Sequence, residues 1–126
     1  MRRTLTYTNA GHNAPILFRA SINDNVPVER LLTRGTILGM FPETEYPHET
    51  IQLASGDVLV LFTDGITEAT NEHEGEFGEE RVTRIVGQSL RSPAAEMKDR
   101  ILAELASFTG GTDPRDDMTL VVAKVV

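Results

Sequence analysis

The chain has 126 residues, 40% hydrophobic and 25% charged, which suits one soluble globular domain and leaves little room for a second. Its formal net charge of −7 argues against nucleic acid and anionic lipid as partners, because phosphates are bound through an excess of Lys and Arg. Without a single cysteine there is no disulfide framework and no thiolate zinc site, a composition that suits a cytoplasmic location.

The first half reads as strands and turns. Residues 5–8 have strand-forming side chains and end at the turn signal Asn9-Ala10-Gly11. Pro15-Ile16-Leu17-Phe18 is expected as the hairpin partner of that strand, followed by a polar loop at residues 21–25 and a short strand at 28–33. Residues 49–53 alternate in the manner of a strand with one buried face. Ser55-Gly56-Asp57 then turns into Val58-Leu59-Val60-Leu61-Phe62, apolar at every position and expected to be dry on both faces. That run is too short to span a bilayer, so no membrane insertion is expected. Nor does an apolar region follow Met1-Arg2-Arg3, as a signal peptide would need.

The second half reads as an acidic loop at residues 72–78, two helices and a closing strand. Val82, Ile85, Val86 and Leu90 share one side of a helix over residues 79–90. Ser92-Pro93 signals the start of the next, with the hydroxyl as cap and the proline as first helical residue. Ala94, Met97, Ile101, Leu105 and Phe108 form its apolar stripe, Gly110-Gly111 its stop, and residues 118–126 the final strand. Strands clustered ahead of helices predict an α+β fold, with helices packed on one face of a mainly antiparallel sheet.

Two segments place aspartate at the end of an apolar strand. Asp64-Gly65 follows Phe62-Thr63, and Asp116-Asp117 precedes Met118-Thr119. Short carboxylates at rigid strand ends can hold oxygen ligands around a hard cation such as magnesium or manganese. Turn chemistry explains the same residues equally well, since Asp-Gly is a common turn dipeptide. The same choice attends His12, which lies at a tight turn: a structural hydrogen bond there competes with acid catalysis, and the structural role is expected. His48 and His73 are expected at the surface. No nucleophile elbow and no P-loop is present.

Five segments in order carry a resemblance. Asn9-Ala10-Gly11-His12-Asn13, Leu53-Ala54-Ser55-Gly56-Asp57, Leu61-Phe62-Thr63-Asp64-Gly65-Ile66-Thr67-Glu68-Ala69, Phe77-Gly78 and Asp116-Asp117-Met118-Thr119 follow one another as in PPM-type protein phosphatases of the SpoIIE/RsbU-like branch. Gly35-Thr36-Ile37-Leu38-Gly39 matches more loosely, with Ile37 where that family usually has proline, and Ala14 likewise replaces a common proline. The resemblance implies part of an αββα sandwich and a metal-dependent hydrolase acting on phosphoserine or phosphothreonine. It implies two Mn2+ or Mg2+ ions in the complete domain, with Asp64 and Asp116 among the ligands and no catalytic side chain beyond them. Asp117, Glu68 and Gly65 would sit behind the ligands, with Asp117 turned away from the metals to anchor its loop.

The family's other essential Asp-Gly stands upstream of the Asn-Ala-Gly-His motif, whereas the first acidic residue here is Asp24. Residues 1–126 are therefore expected to form a single partial domain, the C-terminal portion, weak or inactive alone. By the same resemblance the substrate would be a phosphoprotein, such as an anti-sigma-factor antagonist in a sigma-factor partner-switching pathway. A non-catalytic interaction module with the phosphatase-like fold is the alternative. The missing strands would leave an apolar face open, so a homodimer or higher oligomer is expected.

Overall fold

The computed structural model describes residues 3–20 and 28–126; the loop expected at residues 21–25 lies outside them. Along the described residues run β1 (Thr4–Tyr7), β2 (Ile16–Phe18), β3 (Val28–Arg30), β4 (Glu49–Gln52) and β5 (Val58–Phe62). Then follow α1 (Asp64–Thr67), α2 (Glu79–Gln88), α3 (Ala94–Thr109) and β6 (Leu120–Lys124). Four strands form an antiparallel sheet in the order β3-β2-β5-β6, and β1 pairs with β4 in a second, two-stranded sheet.

Period-2 alternation explains the layers. Ile16, Phe18, Val58, Val60 and Phe62 point to one face and pack against Val82, Ile85 and Val86 of α2 and Met97, Ile101 and Leu105 of α3. Leu59 and Leu61 point the other way, half-buried, and share a cavity of about 250 Å³ with Leu5 and Tyr7 of β1. Helices, large sheet and small sheet thus form three successive layers. The fold is α+β as expected, but β5 is dry on one face only.

Two local expectations are corrected. The strand after Asn9-Ala10-Gly11 does not fold back on β1; β2 pairs with β3 and β5, and β1 with β4. Asn9 explains the change of sheet. Its side chain accepts from the His12 N–H at 2.8 Å and donates to the His12 carbonyl at 3.0 Å, while its own N–H donates to Thr33 Oγ1 at 2.7 Å. This closed Asx turn redirects the chain instead of reversing it into register. Further on, α3 begins one residue later than the Ser-Pro signal suggests, with Pro93 as N-cap at ψ 154°. The Ser92 carbonyl is already taken by Lys124 Nζ at 2.9 Å. At the other end Gly110 takes the left-handed conformation, φ 61°, that stops the helix.

One buried carboxylate fastens the large sheet at the end remote from α1. Asp57, 1% exposed, accepts from Ala20 N–H at 2.8 Å, Ala54 N–H at 2.9 Å and Arg19 Nη1 at 3.0 Å. Arg19 also bonds Glu29 through Nε at 2.9 Å. That bond, helped by Asp57 and opposed by burial, holds the guanidinium above its ordinary pKa. Breaking such a set leaves the amides of Ala20 and Ala54 competing for fewer acceptors and costs Arg19 its buried partner. Asp57→Asn should lower stability by about 3 kcal/mol, read as a fall in the urea midpoint; an unchanged midpoint would show that the carboxylate charge is dispensable.

Candidate metal centre

The two carboxylate segments meet where β5 and β6 part. The ladder runs from Val58 opposite Lys124 to Phe62 opposite Leu120. Past Phe62 the chain coils directly into α1, with Asp64 as its first residue and Thr63, in extended conformation, as N-cap. Past Leu120 in the other direction, the chain bends through Asp117 and Asp116. Gly65 lies against that bend so closely that a Cβ there would stand 2.2 Å from the Asp117 carbonyl oxygen. Only glycine permits this approach, and its side-chain-free contact seats one segment on the other.

Asp64 and Glu68, both exposed, open into a cleft of about 480 Å³, together with Glu76, Glu79, Arg30 and Asn13. The first turn of α1 joins Asp64 to Glu68, whose N–H donates to the Asp64 carbonyl at 2.8 Å. Arg30 is the only basic side chain among the described residues lining the cleft, and it pairs with Glu79 at the start of α2. Four carboxylates against one guanidinium make this hollow electronegative, a place for cations. Arg81 steadies its wall by donating to the carbonyls of Glu76 at 3.1 Å and Phe77 at 2.6 Å while stacking 4.4 Å over Phe108.

Asp116 and Asp117 are exposed on the neighbouring bend and do not line the cleft. Asp116 Oδ1 accepts from the Asp117 N–H at 2.7 Å. The Asp117 backbone carbonyl accepts from Thr63 Oγ1 at 3.2 Å, a contact that does not involve its carboxylate. His12 is exposed, with its Nδ1 3.0 Å from the Asn13 carbonyl, and does not line this cleft; His48 and His73 are exposed.

Carboxylate oxygens are the donors that Mg2+ and Mn2+ take, so the chemistry of Asp64 and Asp116 fits these ions. The number does not: among the described residues no three Asp, Glu or His side chains converge on one cation position. These residues fit part of a metal cage. Sequence reasoning passed over Glu76, Glu79 and Arg30, which reach the cleft from a loop, α2 and β3 and form no motif together. Thr63 lies inside the Leu61–Ala69 segment, but its hydroxyl's partners, Asp117 and Thr119, are more than fifty residues away and leave no trace in the local pattern.

The family model described as Stage II sporulation protein E (SpoIIE) matches residues 1–126. Phosphoserine phosphatase RsbU of Bacillus subtilis is 29% identical over 126 residues, covering 98% of this chain and 35% of RsbU. Protein IcfG of Synechocystis sp. is 29% identical over 117 residues, which are 93% of this chain and 18% of IcfG. Among solved structures, the SiaA-PP2C domain of Pseudomonas aeruginosa superposes with a TM-score of 0.79 at 26% identity, over 99% of this chain and 48% of that one. The Mn-presoaked phosphatase domain of the cell fate determinant SpoIIE from Bacillus subtilis gives 0.68 at 22%, over 98% and 51%. The chain thus spans about half of these solved phosphatase domains and a smaller share of the curated relatives.

The Gly65 contact generates a prediction. Gly65→Ala should push the Asp116–Asp117 bend away from Asp64 and destabilise the fold by about 1–3 kcal/mol, the usual cost of overpacking. Amide resonances of residues 116–118 should move most; a spectrum changed only at residues 64–66 would mean the two segments are not seated on each other.

Proposed function

Because the chain belongs to the SpoIIE family, whose model it matches from end to end, we propose that it forms part of a phosphoprotein phosphatase domain. In this reading Asp64 and Asp116 contribute to a site for Mn2+ or Mg2+, and the remaining ligands come from outside the described residues. The observation that carries it is the seating of Gly65 on the Asp116–Asp117 bend, which holds two carboxylate segments at one end of a single strand ladder.

When bound, divalent ions supply a water of lowered pKa and offset charge on phosphoryl oxygens. The chain's own residues hold and shape the site. Asp64 is fixed by the rigid end of β5 and the first turn of α1, and Glu68 and Glu76 keep the hollow electronegative around it. A phosphoserine or phosphothreonine protein is the substrate we propose, in keeping with the phosphoserine phosphatase RsbU and with the solved RsbU and RsbW domains of Rv1364c from Mycobacterium tuberculosis. An anti-sigma-factor antagonist in a partner-switching pathway fits that context, and the cytoplasm is its expected place. No helix among the described residues is long and apolar enough to cross a membrane.

A second reading, a non-catalytic interaction module, has one observation in its favour: no three ligands converge. Manganese-dependent hydrolysis of an aryl phosphate separates the two. This chain alone should be silent or weak. Joined to the remaining half of a SpoIIE-type domain it should turn over, and Asp64→Asn should then lower the rate on the order of 100-fold, the scale of a lost metal-site contact. Strong activity of the chain alone would overturn the partial-cage reading, and silence of the joined protein would favour the interaction module.

Self-association belongs to the same proposal. Leu32, Ile37, Leu38, Met40 and Phe41 are all more than half exposed within ten residues, the kind of patch that marks an interface. Sedimentation should find a dimer or larger species, and Leu38→Asp with Phe41→Asp should return it to monomer. A wild-type chain that sediments as a monomer would end this part of the proposal.

A further inference from the structure

Thr63 stands at the fork where β5 and β6 separate, one residue before Asp64 and opposite the stretch that follows Asp116. Its N–H donates to the Thr119 carbonyl at 3.1 Å. Its hydroxyl accepts from the Thr119 N–H at 3.0 Å and donates to the Asp117 carbonyl at 3.2 Å. A hydroxyl has one hydrogen to give and lone pairs to receive, so both bonds can exist at once. Among the described residues, both side-chain hydrogen bonds between the two carboxylate segments come from this one oxygen.

We infer that Thr63 is a positioning residue: its hydroxyl sets the separation of Asp64 and Asp116 and thereby the divalent-metal affinity of the site. The inference rests on the metal reading given above. The Asp117 carbonyl is held between two restraints, the Thr63 hydroxyl and the bare backbone of Gly65. Gly65 limits how near the bend can come, and Thr63 limits how far it can move away. Coordination needs its ligands placed to within about 0.5 Å, and an exposed bend does not keep that tolerance unaided. Hydrogen bonds that orient ligands from behind typically change metal affinity by about 10–100-fold when lost.

Thr63→Val keeps the shape and removes the hydroxyl, whereas Thr63→Ser keeps the hydroxyl and removes the methyl. In the metal-free chain, Thr63→Val should speed hydrogen exchange at the Thr119 amide and shift the amides of Asp116 and Asp117, and Thr63→Ser should do neither. With added Mn2+, paramagnetic broadening of the Asp64 and Asp116 amides should need about tenfold more metal in the valine variant and about the same as wild type in the serine variant. Should the valine variant unfold, Thr63→Ala serves in its place.

Equal broadening in wild type and valine variant overturns the inference, as does a serine variant as impaired as valine, because the methyl would then be what matters. Wild-type amides left sharp at millimolar Mn2+ would mean that Asp64 and Asp116 hold no ion without the further ligands, and would overturn the inference for this chain. In that event an unchanged Thr119 exchange rate in the valine variant would also remove Thr63 as the tie between the segments.

Discussion

Five residue pairs, from Val58 opposite Lys124 to Phe62 opposite Leu120, join β5 to β6, and both carboxylate segments emerge from the same end of this ladder. Asp64 follows β5 in the chain and Asp116 precedes β6, so their segments are far apart in sequence and meet only while the two strands keep register. A slip of one residue would turn Val58, Val60 and Phe62 away from the helices. The core therefore enforces the register, and the register brings the two carboxylate-bearing segments to one end of the ladder. Stability and site geometry are set by the same contacts.

The two ends of β5 are secured differently. At its start the buried Asp57 gathers the Ala20 and Ala54 amides and the Arg19 guanidinium, three donors on one carboxylate away from water. At its finish the restraints are lighter and exposed: the Thr63 hydroxyl, the Gly65 contact and the turn of α1. A buried charged network is costly to break and so makes a fixed anchor. An exposed bend held by neutral hydrogen bonds opens more cheaply. The two ends thus differ in kind, a buried charged network at the start of β5 and neutral, more exposed contacts at its finish.

Much of this was legible from residue pattern. The helix stripe of Met97, Ile101 and Leu105 is buried as its spacing requires, and the Asp-Gly and Asp-Asp segments flank apolar strands, β5 and β6, as their sequence positions indicate. Pairing was less legible. Asn9-Ala10-Gly11 reads as a hairpin turn because turn residues report a change of direction and not the sheet to which the chain goes next. The answer lay in Thr33, bonded to the Asn9 amide from twenty-four positions on. Arg30, Glu76 and Glu79 were invisible for a related reason: a cleft wall built from three elements leaves no spacing in the sequence. Leu59 shows the limit of composition, since an all-apolar strand reads as buried on both faces whatever lies opposite.

Charge and coordination act over different ranges, and the difference explains how a chain can be drawn to cations without enclosing one. The field of Asp64, Glu68, Glu76 and Glu79 against Arg30 extends roughly a Debye length, about 8 Å at physiological ionic strength, and tolerates loose placement. A metal bond of about 2 Å does not. A phosphate dianion approaching the same hollow would be repelled, so phosphoryl chemistry there requires positive charge between the carboxylates and the substrate. Asp64 and Asp116 provide oxygen donors for such charge, yet no third side chain among the described residues joins them. The electronegative cleft is lined by this chain's own carboxylates, and the Asp116–Asp117 bend beside it is joined to the Asp64 segment by the Thr63 hydroxyl and the Gly65 contact.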